Sequence, residues 1–209
     1  PVGEWYGIQT NDEGLVATIE LPDNNLCGII SKNILPNLRY LGSLWCMNNN
    51  LQKMEIDNSP SLVTITCYNN PLNDIIVNNL PKLRSLNCSD CLLETLDLST
   101  CKELEGLYCA NNNLTSLDIG KNAKLTQLDC SNNPIITLDF SNNPLIETLW
   151  ANTCQLKELN VSNLVKLQVL LCSENELGNI NINNNVELKT LWCGSNNLSM
   201  LDVTNNPKL

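Results

Sequence analysis

Histidine is absent from this 209-residue chain and phenylalanine occurs once. Without an imidazole the commonest general base is missing, and so is the usual nitrogen ligand of zinc. Cations are scarce as well: 12 Lys and Arg stand against 22 Asp and Glu, for a formal charge of −10. A phosphate backbone or an anionic membrane needs clustered Lys and Arg to neutralise it, and the scattered cations here argue against nucleic acid as a partner. No apolar run approaches the ~20 residues that span a bilayer. The amino-terminal PVGEWYGIQT lacks the basic start and apolar centre of a signal peptide, so any export signal is expected to have been removed. Also missing are a nucleophile elbow, a phosphate-cradling glycine loop and a convergent metal-ligand cluster. The chain reads as non-catalytic, with no cofactor and no metal.

What is present is repetition. The chain is 43% hydrophobic and holds 11 cysteines, enough apolar residues for a substantial core. From Leu41 onward the segments LGSLWCMNNNL, LVTITCYNNPL, LRSLNCSDCLL, LEGLYCANNNL, LTQLDCSNNPI, IETLWANTCQL, LQVLLCSENEL and LKTLWCGSNNL each begin 21 residues after the last. A fixed period of this size indicates a stack of like units. The organisation expected is a distinct unit over 1–40, eight repeats over 41–208, and the start of a truncated further repeat at 209.

The pattern L-x-x-L-x-C-x-x-N-x-L resembles the leucine-rich repeat, in which one short strand per turn stacks into a parallel sheet. Its second half, as in LTSLDIGKN from Leu114, repeats the same grammar. This short nested form is similar to repeats of secreted and surface proteins of bacteria, particularly the Bacteroidetes. The resemblance implies a right-handed solenoid, a secreted or cell-surface location, and a binding function. A unit of 21 residues leaves no room for a long outer helix, so the expectation is a parallel sheet on one face, a second short-strand or extended face opposite, and little α-helix. The first 40 residues resemble the capping unit of plant-type repeats through Trp5, Gly7, Gly14, Asn24, Leu26 and Gly28, followed by one longer repeat with room for a short helical turn around Pro36 to Leu41. A solenoid needs such a cap because an open end coil exposes the apolar interior.

Alternation assigns directions. In an extended segment successive side chains face opposite ways, so the second leucine and the cysteine of each unit point inward. Cys46, Cys67, Cys88, Cys109, Cys130, Cys172 and Cys193 form one column, and Ala151 fills the eighth place. Alanine there indicates a demand for a small apolar group rather than for a thiol. Neighbouring coils bring these Cα atoms to about 4.8 Å, but parallel Cβ vectors do not converge as a disulfide requires. The next column, Asn49, Asn70, Asn112, Asn133, Asn175 and Asn196, with Cys91 and Cys154 as substitutes, is expected to tie down buried turn backbone. A second ladder runs through Cys101, Asn122, Asn143, Asn185 and Asn206.

Between the inward positions lies an outward column of Trp45, Thr66, Asn87, Tyr108, Asp129, Trp150, Leu171 and Trp192, flanked by Met47, Tyr68, Ser89, Ala110, Ser131, Asn152, Ser173 and Gly194. Large aromatics beside small residues on a stiff sheet have the character of interface anchors, whereas isolated ones merely cover the sheet. The candidate ligand-binding residues are Trp150, Trp192, Tyr108, Leu171, Trp45, Tyr68, Asp129 and Asn152. The sequence thus favours a monomeric module binding a protein partner, with a glycan-binding adhesin as the alternative: flat coplanar rings would favour sugar, edge-on packed rings protein or no ligand. On the opposite face Glu55, Ile76, Asp97, Asp118, Asp139, Asn160, Asn181 and Asp202 form an acidic column. It lacks the glycine-rich turns of calcium-binding coils, and a solubilising role is expected.

Overall fold

The computed structural model describes residues 6–33 and 37–209. Trp5 of the cap motif and part of the turn expected from Pro36 to Leu41 lie outside the described residues. The chain winds as a solenoid, and among the described residues it contains strands and turns but no α-helix.

Ten strands form the front sheet: β1 (Ile8–Thr10), β2 (Val16–Glu20), β4 (Ser43–Trp45), β6 (Thr64–Thr66), β8 (Ser85–Asn87), β9 (Gly106–Tyr108), β10 (Gln127–Asp129), β11 (Thr148–Trp150), β12 (Val169–Leu171) and β13 (Thr190–Trp192). β1 pairs antiparallel to β2 and the others are parallel in chain order. Pairing from β4 onward joins residues 21 apart, as in Leu128 opposite Leu149. The period of the sequence is therefore the register of the sheet. At the amino-terminal edge β1 lies so close that a Cβ on Gly7, whose φ is +79°, would meet the Glu20 carbonyl oxygen at 2.0 Å. Only glycine fits both the left-handed backbone and the contact.

The inward columns make the core. Leu86, Leu107, Leu128, Leu149 and Leu170 are fully buried, as are Cys67, Cys88, Cys109, Cys130, Ala151 and Cys172. After each front strand the chain turns through one left-handed residue, at Asn48, Asn69, Asp90, Asn111, Asn132, Thr153, Glu174 and Ser195, with φ between 52° and 57°. Asn and Asp tolerate this region; the β-branched Thr153 is the costly occupant.

The asparagine that follows closes the turn. Asn133 Nδ2 donates to the carbonyls of Cys109 (2.9 Å), Cys130 (3.1 Å) and Ser131 (3.2 Å), and its Oδ1 accepts the Leu114 N–H at 3.0 Å. One side chain thus serves two coils. Asn112 and Asn175 repeat the arrangement. The second ladder behaves differently: Asn122, Asn143, Asn185 and Asn206 each donate to two carbonyls of the preceding coil, while their buried Oδ1 atoms have no donor among the described residues.

On the back face, where short strands or extended chain are expected, the first coils pair as strands. Among the described residues only β3 (Cys27–Ile30), β5 (Asn50–Asp57) and β7 (Asp74–Asn78) pair there. From Asp97 onward the residue at this position turns its own oxygen onto the backbone two residues ahead: Asp97 Oδ1 accepts Ser99 N–H, and Asp118, Asp139, Asn160, Asn181 and Asp202 do the same in successive coils. This local bond competes with ladder formation. Glu55 and Ile76, which occupy the position in β5 and β7, are not the Asp or Asn such a turn uses.

The carboxylates of that column therefore act as turn acceptors, beyond solubilising the face. Hydrogen bonds from Ser99, Ser141 and Thr204 hold Asp97, Asp139 and Asp202 below the ordinary carboxylate range. A depressed folded pKa contributes stability above the unfolded value near 3.8, and that stability is lost as pH falls through the folded pKa. Substituting all three by asparagine, the natural occupant in two coils, keeps the acceptor and removes the titration. The urea midpoint of Asp97→Asn/Asp139→Asn/Asp202→Asn is expected to fall less steeply than wild type below about pH 4; parallel falls would refute the assignment.

Candidate functional site

The outward column of the front sheet places its aromatics in strict register. Trp150, Leu171 and Trp192 are direct Cα partners on β11, β12 and β13, and Tyr108, Asp129 and Trp150 on β9, β10 and β11. Tyr108 and Trp150 reach over the short Asp129 between them, their ring centroids 6.4 Å apart and their planes tilted by 34°. These rings are neither a coplanar platform nor an edge-on pair. Burial first, and the Asp129 charge second, raise the Tyr108 hydroxyl pKa, so it stays protonated as a donor and bonds Gln127 Oε1.

The candidates are less exposed than the sequence suggests. Trp45, Tyr68, Tyr108, Asp129, Trp150, Asn152 and Leu171 are half-buried, and Trp192 alone is mostly exposed, at 63%. Strands 4.8 Å apart are closer than an indole is wide, so each large ring leans on its neighbours. Trp45 lies apart from the Tyr108–Trp150 pair, and its indole N–H is buried without an acceptor among the described residues. Asp129 Oδ1 accepts Ser131 N–H at 3.0 Å, while Asn152 accepts Ser173 N–H and donates its own N–H to Ser131 Oγ. The polar candidates are thus partly engaged in the sheet, with Asp129 Oδ2 and the Asn152 amide nitrogen left over.

Two residues that shape this surface escape the reading of the aromatic column. The Tyr108 ring lies over Gly106, where a Cβ would approach Cε2 to 3.3 Å, and Gln127 anchors its hydroxyl. A signal was there: the neighbouring outward column runs Ser43, Thr64, Ser85, Gly106, Gln127, Thr148, Val169, Thr190, and departs from Ser and Thr in the Tyr108 coil and the coil after it, and again at Val169.

The thiols form the other candidate chemistry. All 11 are free, nine of them buried, Cys193 half-buried and Cys27 exposed. Cys88-Ser89-Asp90-Cys91 has the spacing of a redox or zinc pair, yet it arises because one coil carries cysteine in both columns. Burial, then nearby thiols, raises Cys46 to about 12 and Cys67 well above its ordinary value; burial also raises Cys91 to about 11. Neutral buried thiols are poor nucleophiles, and among the described residues no three His, Cys, Asp or Glu are grouped to hold a metal. With the protein folded at pH 7, maleimide is expected to modify Cys27 quickly, Cys193 slowly, and the nine buried thiols only on unfolding; mass spectrometry showing early modification at Cys88 or Cys91 would contradict this.

Residues 102–140 match the family model for leucine-rich repeats in two copies. No curated protein matches the chain. Among solved structures, the functional domain of InlJ from Listeria monocytogenes, whose description includes a cysteine ladder, is 29% identical with a TM-score of 0.70, over 84% of this chain and 44% of that one. YopM from Yersinia enterocolitica is 26% identical with a TM-score of 0.65, over 78% of this chain and 35% of that one. The Arabidopsis receptor kinase HAESA ectodomain, in complex with an extended IDA peptide hormone, is 22% identical with a TM-score of 0.73, over 93% of this chain and 36% of that one. The chain thus spans less than half the length of these three proteins. The solenoid, with its 21-residue spacing, fits a leucine-rich repeat coil of a short type. Among the described residues no helix is long and apolar enough to cross a membrane.

Proposed function

We propose that this chain is a non-catalytic recognition module that binds a protein partner through the outward face of its front sheet. The anchors are Tyr108, Trp150, Leu171 and Trp192, with Asp129, Asn152 and Gln127 supplying polar contacts. The observation that carries this is the ring pair of Tyr108 and Trp150 closing over Asp129, in register with Leu171 and Trp192. Contiguous aromatic and aliphatic area on a rigid sheet loses little conformational entropy on binding. The rings, tilted by 34°, do not form the coplanar platform on which sugars stack flat. Proteins of the same fold support the reading: the Arabidopsis ectodomain was solved with a peptide hormone. The repeat type supports a bacterial secreted or cell-surface setting.

The test is capture of surface proteins on immobilised wild type and Trp150→Ala/Trp192→Ala, beside a glycan array probed with both. A partner protein lost in the double variant supports the proposal. Equal capture by both, or binding confined to glycans, overturns it.

A further inference from the structure

The two back-face conformations meet in one place, and a cleft opens there. β5 and β7 end in left-handed Asn58 and Asn79 (φ 56° and 51°), whereas the next coil leaves the back through the Asp97–Ser99 turn. Unlike backbones do not nest, and Thr100 Oγ and Cys101 Sγ bridge the seam to the Val77 carbonyl in place of a strand pair. The resulting cleft has a volume of about 980 Å³ and is walled by Asn58, Pro60, Asn79, Pro81, Thr100 and Lys102, among others. It adjoins a hollow of about 260 Å³ bounded in part by Lys82 and Arg84, the two sharing Pro81 and Glu103. Another hollow, beside Lys157 and Asn181, is about 340 Å³.

Charge singles out the same region. The segments leading into the front strands, 79–84, 100–105, 121–126, 142–147, 163–168, 184–189 and 205–209, hold eight of the 12 basic residues and only four of the 22 acidic ones. A chain of net charge −10 thus has one edge of net charge +4. At the cleft Glu103 is taken by Lys124, and Glu105 by Arg84 at 3.5 Å. Asp57 receives the Asn79 amide at 3.1 Å. Lys82 and Lys102 are exposed and have no ion-pair partner among the described residues. Free cations at a concave, partly apolar wall concentrate positive potential where the remaining surface repels anions.

We propose that this cleft is a second binding surface, separate from the front sheet, and that it takes an extended acidic segment of a partner polypeptide. Carboxylates pair with Lys82 and Lys102, and the segment's apolar atoms lie on Pro60 and Pro81. Charge complementarity also sets the orientation of the encounter.

The test is fluorescence anisotropy at low salt with three labelled probes: an Asp/Glu-rich octapeptide, its Asn/Gln counterpart, and a sulfated heparin octasaccharide. The acidic peptide is expected to bind at least about 10-fold tighter than its amide counterpart and than the octasaccharide, and Lys82→Glu/Lys102→Glu to remove that advantage. Lys166→Glu/Lys189→Glu, on the same edge away from the cleft, and Trp150→Ala/Trp192→Ala are expected to bind like wild type. Failure of the acidic peptide to bind, equal binding of the two peptides, tighter binding of the octasaccharide, or equal loss in the distant pair overturns the proposal. None of these bears on the front-sheet reading, which has its own variants.

Discussion

Replacing Asn133 by alanine is expected to destabilise the protein by about 3 kcal/mol, read from urea unfolding followed by circular dichroism. The cost exceeds that of an ordinary buried hydrogen bond because the two Nδ2 protons, shared among three carbonyls, and the acceptor of the Leu114 N–H go at once, and Leu114 N–H is left buried without an acceptor. A shift under about 1 kcal/mol, the scale of a single bond, would mean that the ladder is not what closes the turns. The two coils with cysteine at this position show how the fold otherwise manages. Cys91 and Cys154 donate weakly to carbonyls and lack the amide oxygen that elsewhere accepts an N–H of the preceding coil. The N–H groups an asparagine would have taken, on Leu72 and Ile135, instead close local turns onto Asn70 O (2.7 Å) and Asn133 O (2.8 Å). Each turn spans a proline, Pro71 or Pro134, whose fixed φ suits an inverse γ-turn. Proline in one coil and cysteine in the next are thus one device. Restoring both, as Pro134→Asn/Cys154→Asn, is expected to stabilise by about 1 kcal/mol more than the single changes sum to.

Truncating both indoles, Trp150→Ala/Trp192→Ala, is expected to weaken partner binding by at least about 30-fold, roughly 2 kcal/mol, the scale of an interface hot spot. Most of that loss should follow Trp150. Its ring is fixed by Tyr108 at 6.4 Å, so little entropy is lost when a partner covers it, whereas Trp192 is 63% exposed and must be ordered on binding. Folding should change little by comparison, because neither indole lies in the core. A double variant that binds as wild type would place recognition elsewhere.

How much of this was legible in the sequence follows from what repeats. The 21-residue period gave the front-sheet register, and alternation sent Leu128 and Cys130 inward and Asp129 outward because short extended strands leave no other choice. The asparagine ladder was legible for the same reason. Three features were not read. The loss of the back sheet after β7 was encoded in the change from Glu55 and Ile76 to Asp97 and Asp118, but an acidic column reads as solubilising until its local acceptor role is seen. The exposure of Trp45 was overestimated because column membership says nothing about how a ring leans on adjacent coils. The coupling of Pro71 to Cys91 spans 20 residues and becomes visible only when the route of each turn N–H is followed.

The central claim is that the indole beside the thiol, and not the thiol, carries recognition. The most direct measurement is the dissociation constant of Trp150→Ala and of Cys130→Ala for the captured partner, each with its urea midpoint. Trp150→Ala should weaken binding by about 10-fold or more at an almost unchanged midpoint. Cys130→Ala should lower the midpoint by the equivalent of about 1 kcal/mol and leave the dissociation constant within about twofold of wild type. Wild-type binding by Trp150→Ala, or a binding loss confined to Cys130→Ala, would contradict it.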